Sequence, residues 1–270
     1  MSKGPVLVRS PNLSYAWAKV LSLTMQSGWE DLPELVVSFG PAPEDRRVRD
    51  ILDGYLTRAT KKKAEGRQRC QTVAQTIFPI ALLREGQLRA DLFARYLRIL
   101  PQLKRCPLNR RGTYFERLIA FPDGTDASAP VNQLEKVITD LSGPRSRLTA
   151  LQVGIFNPAT DHSAEPYQGF PCLQQVAFRP NGKDKLCLTA FYPLHYLFER
   201  AYGNYMGLAA LGAFVAAECN RELESVTCVA GVGRREIGKG EAKPLHADVS
   251  SYINSLGGFE KLDTVEASLG

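Results

Sequence analysis

The chain has 270 residues, 44% hydrophobic and 23% charged, with a net charge of +6. That size and balance bury a core without disulfide staples, which sets aside the disordered, fibrous and disulfide-scaffold classes. Six cysteines at irregular positions form no Cys-x-x-Cys pair, and His162, His195 and His246 lie at no metal-ligand spacing. Reduced thiols, a cytoplasmic protein and no metal are therefore expected.

The opening "MSKGPVLVRSPNLSYAW" has no long apolar run of the signal-peptide kind. Residues 13–28 read as an amphipathic helix with Ala16, Val20, Leu21 and Met25 on one side. "ELVVSFGP" is a β-branched run closed by Gly and Pro, hence a strand. Residues 44–59 and 86–100 have helical periodicity; in the second, Leu88, Leu92, Tyr96 and Leu97 share a face and Pro101 ends it. "TYFERLIAF" reads as a strand before the turn "PDGT". "APVNQLEKVITDLS" is a helix stopped by Gly143-Pro144.

Strands then dominate: "LTALQVGIF", "CLQQVAFRP", "LCLTAFYP" and "VTCVAGVG". Asn181-Gly182 joins the second and third as a hairpin, since both residues tolerate positive φ. Between the third and fourth lies a helix of roughly residues 196–217, rich in Gly and Ala, which lets another backbone come close. Its Glu199, Arg200 and Asn204 mark a core helix rather than a membrane span. "ADVSSYINSL" is the last helix, ended by Gly257-Gly258. The class is α+β, one domain over 1–270, with a mixed or mainly antiparallel sheet flanked by helices.

Charge is uneven. Residues 58–111 hold fourteen Lys or Arg against three acids, a local charge of +11 that leaves −5 elsewhere. Such a segment suits a nucleic acid, with Lys61, Lys62, Lys63, Arg67 and Arg69 as the contacts; the plainer reading is a solvated set of helix faces and a basic loop.

Cys172 follows Pro171 at the mouth of a strand. It reads as a nucleophile or as one more small apolar residue. Asn204 reads as a helix cap or as a core amide, and His195 as a hydrogen-bonded ring or a partner of Cys172.

From residue 132 onward the order of segments is distinctive. Asn132-Gln133, Ser146-Arg147, Phe156-Asn157-Pro158, Pro171-Cys172 and Gly203-Asn204 follow one another, with "SFG" at 38–40 and "GTYFERL" at 112–118 upstream. This collinear set resembles the thymidylate synthase family and spans almost the whole chain. The resemblance implies a concave pyrimidine-nucleotide pocket in a twofold homodimer packed through its sheet. It implies a cysteine thiolate adding to pyrimidine C6, and 5,10-methylenetetrahydrofolate as one-carbon donor. On that likeness Cys172 is the nucleophile and Asn204 reads the pyrimidine edge. Tyr114 is the motif tyrosine, and Arg147 and Arg145 hold phosphate across the dimer. Arg147 of a partner subunit or His195 is what could serve Cys172.

The chain departs from the family pattern at several helpers. Leu173 stands where histidine follows the cysteine. "YPLHY" replaces the Gln-Arg-Ser segment, and Tyr196 sits near the place of the following aspartate. "SGWEDLPEL" lacks the basic loop, Asp91 is a weak substitute for the catalytic glutamate, and "RREIGKGEAKPL" replaces His-x-Tyr. The tail "EASLG" is unlike the family's apolar C-terminus. Two functions follow: a divergent C5 methyl- or hydroxymethyltransferase, or a catalytically degenerate nucleotide- or nucleic-acid-binding homodimer serving as sensor, scaffold or defence accessory.

Overall fold

A computed structural model describes residues 4–26, 30–60, 67–122, 130–144, 147–164 and 170–267. Six strands form one mixed sheet in the order β1-β2-β6-β5-β4-β3. They are β1 (Val6–Ser10), β2 (Asp31–Phe39), β3 (Gln152–Gly154), β4 (Gln175–Asn181), β5 (Lys185–Tyr196) and β6 (Glu222–Arg234). β1 runs parallel to β2 and β5 parallel to β6; the other three neighbours are antiparallel. The helices are α1 (Leu13–Gln26), α2 (Arg46–Thr60), α3 (Cys70–Ile77), α4 (Arg89–Leu103), α5 (Tyr114–Ile119), α6 (Gln133–Ser142), α7 (Pro158–Asp161), α8 (Ala201–Glu218), α9 (Lys239–Ser255) and α10 (Gly258–Ala267). The class is α+β. None of the described helices is long and apolar enough to cross a membrane.

Side chains alternate across the sheet. Val37, Phe39, Val226, Cys228, Leu188, Ala190, Val176 and Phe178 are buried on the side where α8 and α1 pack. The other face is open. One row on it runs Leu7, Val36, Val229, Phe191, Gln175 across five strands, and Leu7 and Phe191 are 59% and 41% exposed.

Several expectations are corrected. "TYFERLIAF" is the helix α5. Thr113 caps it in a reciprocal box with Glu116, and Phe115, Leu118 and Ile119 at three- and four-residue spacing point inward. "LTALQVGIF" is a 3-10 turn at Leu148–Ala150 followed by only three strand residues. α4 runs through the exposed Pro101 to Leu103. Leu92 and Tyr96 are buried, while Leu88 and Leu97 face solvent. The Asn-Gly hairpin is a three-residue turn: Asn181 pairs with Lys185, and Gly182 alone takes positive φ, +62°. β5 extends to Tyr196, so α8 begins only at Ala201. The last expected helix starts eight residues earlier, at Lys239, after Gly238, and takes in Gly240 and Pro244 in its first two turns. β1, α3 and α10 carried no sequence expectation.

α8 meets α3 at very short range. A Cβ on Gly203 would lie 2.6 Å from the Cys70 carbonyl oxygen, and one on Gly207 2.8 Å from that of Ala74. The small residues of α8 thus serve the close backbone approach expected of them, and α3 is the neighbour.

Candidate functional site

Four elements bring Tyr114, Cys172, His195 and Asn204 together. Tyr114 opens α5, where Thr113 fixes the helix start. Gly112, at φ +130°, turns the chain into that cap, and any Cβ there would lie 3.2 Å from the Phe170 ring. Phe170 in turn rests on Tyr114, ring centroids 5.2 Å apart. The loop carrying Cys172 is pinned to the sheet by Gln174, whose amide donates to the Phe191 carbonyl (2.9 Å) and whose side chain donates to the Pro171 carbonyl (2.7 Å). The Cys172 N–H donates to the Tyr114 hydroxyl at 3.4 Å.

Behind Cys172 and Tyr114 lies Tyr192 of β5, fully buried and within electrostatic reach of both. His195 stacks on Tyr192 with centroids 4.1 Å apart and planes 7° apart, and meets Tyr205 of α8 edge-on at 5.7 Å. Asn204 Nδ2 donates to His195 Nε2 at 3.0 Å. Asn204 is the fourth residue of α8, after Arg200 at the cap position, so it is a core amide and not a cap. The Tyr192 and Tyr205 hydroxyls are buried and have no hydrogen-bond partner among the described residues, in a setting where such groups are nearly always paired.

The electrostatics define what this cluster does at rest. Burial pushes the Cys172 thiol up; Arg200, the cation acting on it, and the Tyr114 hydroxyl pull it partly back down. The net direction is upward, so Cys172 is a protonated thiol at neutral pH. Burial pushes His195 down to about 3. It is held neutral and accepts from Asn204. Burial also holds the Tyr114 phenol well above its ordinary value.

Arg200 is the residue the sequence reading missed as a site group. It stands in the turn between β5 and α8, where its guanidinium donates to the Gln68 side-chain oxygen. The signal was available only as a basic residue four positions before Asn204.

The other expected contacts lie elsewhere. Arg147 is exposed ahead of the 3-10 turn at Leu148–Ala150. The Leu151 carbonyl, four residues after Arg147, accepts from the Phe178 amide in the middle of β4, six residues beyond Cys172 and so up to about 20 Å from it along the chain. Arg145, Lys61, Lys62 and Lys63 fall outside the described residues. Arg67 is engaged within the chain. It bridges Glu199 and Glu241, each at 2.6 Å, and lies over the Phe198 ring. Arg69 is exposed just ahead of α3. Further along the basic segment, Arg89 is held by Glu135 and Glu218, and Lys104 by Glu116.

Asp91 is exposed in the first turn of α4. No cluster of three His, Cys, Asp or Glu suited to a metal occurs among the described residues. Comparison with protein-family models and with curated proteins finds no match to the chain.

Proposed function

We propose that the chain is a thymidylate synthase-like protein in which the Cys172 cluster receives a pyrimidine nucleotide and the C5 one-carbon transfer has been lost. The carrying observation is the convergence of Tyr114, Cys172, His195 and Asn204 from four separate elements into one cluster. The two unpartnered tyrosine hydroxyls support it. A buried hydroxyl without a partner costs about 1–3 kcal/mol, and its retention is explained by a polar ligand that uses it. The loss of chemistry is supported by the raised Cys172 thiol and the neutral His195.

Calorimetric titration with UMP, dUMP, CMP and dCMP, beside C5-tritium release with methylenetetrahydrofolate, tests this reading. The expected result is saturable binding of at least one nucleotide with no tritium release. Cys172→Ala should keep that affinity within about threefold, under 1 kcal/mol. Tyr192→Phe should raise the Tm and weaken binding. Tritium release or a Cys172–nucleotide adduct would establish an active transferase instead; absence of binding by all four nucleotides would remove the reading.

The proposal includes a twofold homodimer through the open sheet face. Parallel strand pairs such as β5/β6 are ordinarily covered on both sides, and Leu7, Val36, Val229 and Phe191 give the uncovered side an apolar row. Sedimentation velocity should show a dimer that Phe191→Glu dissociates. A monomeric wild-type protein at tens of micromolar would count against this interface.

A further inference from the structure

A cavity lies at the β1 edge of the sheet. It encloses about 500 Å³ between β1, α1, α9 and α10, within the size range of small-molecule sites. β1 is separated from β5, which carries Tyr192 and His195, by two intervening strands, roughly 14 Å at the usual strand spacing, and none of the cavity's lining residues belongs to the Cys172 cluster.

The fold builds it deliberately at one point. Gly257 and Gly258, at φ +100° and +80°, reverse the chain after α9. α10 then returns over α1, where Asp263 pairs with Lys19 at 2.6 Å and Phe259 lies under the Lys19 ammonium at 5.8 Å. Below this roof Val8, Leu23, Ile253 and Phe259 supply apolar wall. Ser22 and Ser250 bracket His246 Nε2 at 3.3 and 3.2 Å, a hydrogen-bonding patch inside the wall. Burial holds His246 toward its neutral form. Arg9 and Lys19 are the charged residues of the lining, and Lys19 is met by Asp263. The site therefore carries one net positive charge, beside an apolar body and neutral polar groups.

We propose that this cavity binds a small amphiphile with a single negative charge, an aryl- or alkyl-carboxylate class of ligand, its apolar part between α1 and α9 and its carboxylate at Arg9. The lip residue Arg9 supplies the charge selectivity; the Ser22–His246–Ser250 group orients polar substituents.

Three probes with one body test it on the full chain: 4-phenylbutyrate, 4-phenylbutylamine and 4-phenylbutanol, titrated calorimetrically. A ligand of that size in a formed pocket binds with Kd at or below about 1 mM. The expected order is carboxylate tightest, at least tenfold over the amine. Arg9→Glu, an exposed position, should abolish that preference while keeping the wild-type circular dichroism spectrum and Tm, and Ser250→Trp should block all three. Nucleotide titration of the same samples should be unchanged, which separates this site from the Cys172 reading. Failure of the carboxylate to saturate by about 5 mM, equal affinity for the amine, or an Arg9→Glu protein that keeps its preference would overturn the proposal.

Discussion

Gly207→Ala is expected to destabilise the protein by about 2 kcal/mol or more, against the usual benefit of alanine in a helix. Alanine is favoured over glycine by up to about 1 kcal/mol in a helix interior. Here the added Cβ would stand 2.8 Å from the Ala74 carbonyl oxygen and 2.8 Å from Ile77 Cβ. No real contact of that kind survives, and the obstacle is backbone rather than the flexible end of a side chain. α8 must move away from α3, which opens a packed interface at a typical cost of about 1–3 kcal/mol beyond the propensity gain. Gly203→Ala meets Cys70 and Val73 at 2.6 Å and should cost as much. Once the helices have separated for one methyl, the second has less to displace, so the double variant should lose less than the sum. Gly212→Ala is the internal control. Its nearest obstacle is Leu223 Cδ1 at 2.8 Å, a side-chain methyl that can rotate, and its loss should be smaller. Urea unfolding reads all four. A Gly207→Ala protein at or above wild-type stability would show that the α3–α8 approach is looser than described. The effect also reaches the site, because Asn204 follows Gly203 and its bond to His195 depends on where α8 sits.

How much of this was legible depended on how local the signal was. α1, β2, α2 and α6 show their periods within a dozen residues, and the structure places them where the sequence does. The small-residue character of α8 announced a close neighbour but not which one. α3 is only eight residues long and follows a basic run, so its own pattern is too short to read. α5 was mistaken for a strand because six residues rich in β-branched and aromatic types satisfy either period; the Thr113–Glu116 box was the signal that decides it. At the site, Cys172 and Asn204 were found by order along the chain. The stacking of His195 on Tyr192, the unpartnered tyrosine hydroxyls and the role of Arg200 are products of tertiary packing. None has a sequence pattern, since each depends on which elements lie side by side. Arg67 shows the converse. It sits in a basic run that reads as a nucleic-acid contact or a solvated loop, yet Glu199 and Glu241, more than 130 positions away, hold it.

Glu236→Gln is expected to stabilise the protein at pH 8 and to leave it nearly unchanged at pH 5. Glu236 follows β6, and its carboxylate lies against the turn that leads into α8, accepting from the Phe198 and Glu199 amides. Burial raises its pKa to about 7 from 4.5; the backbone donors offset part of that rise, and the Glu199 charge adds to it. The folded state therefore holds a proton on this group that the unfolded state releases above about pH 4.5. The stabilisation is fully present below 4.5 and is lost as pH rises through 7. From the 2.5-unit difference the loss is at most about 3 kcal/mol. Glutamine keeps an Oε1 able to accept from both amides and never ionises. His195 acts in the opposite sense. Its pKa is lowered to about 3 from 6.5, so its contribution grows as pH rises across that interval. The wild-type curve sums both groups, and its slope alone assigns neither. The difference between Glu236→Gln and wild type isolates the carboxylate, because His195 is common to both. That difference, measured by urea unfolding from pH 5 to 8, should rise with pH and level off above about 7.5, reaching about 1–3 kcal/mol. A flat difference would mean that Glu236 is ionised throughout, held by its amide donors despite burial. The turn it braces leads directly into Arg200, so the Glu236 carboxylate holds the amide of the residue preceding the cation that acts on Cys172.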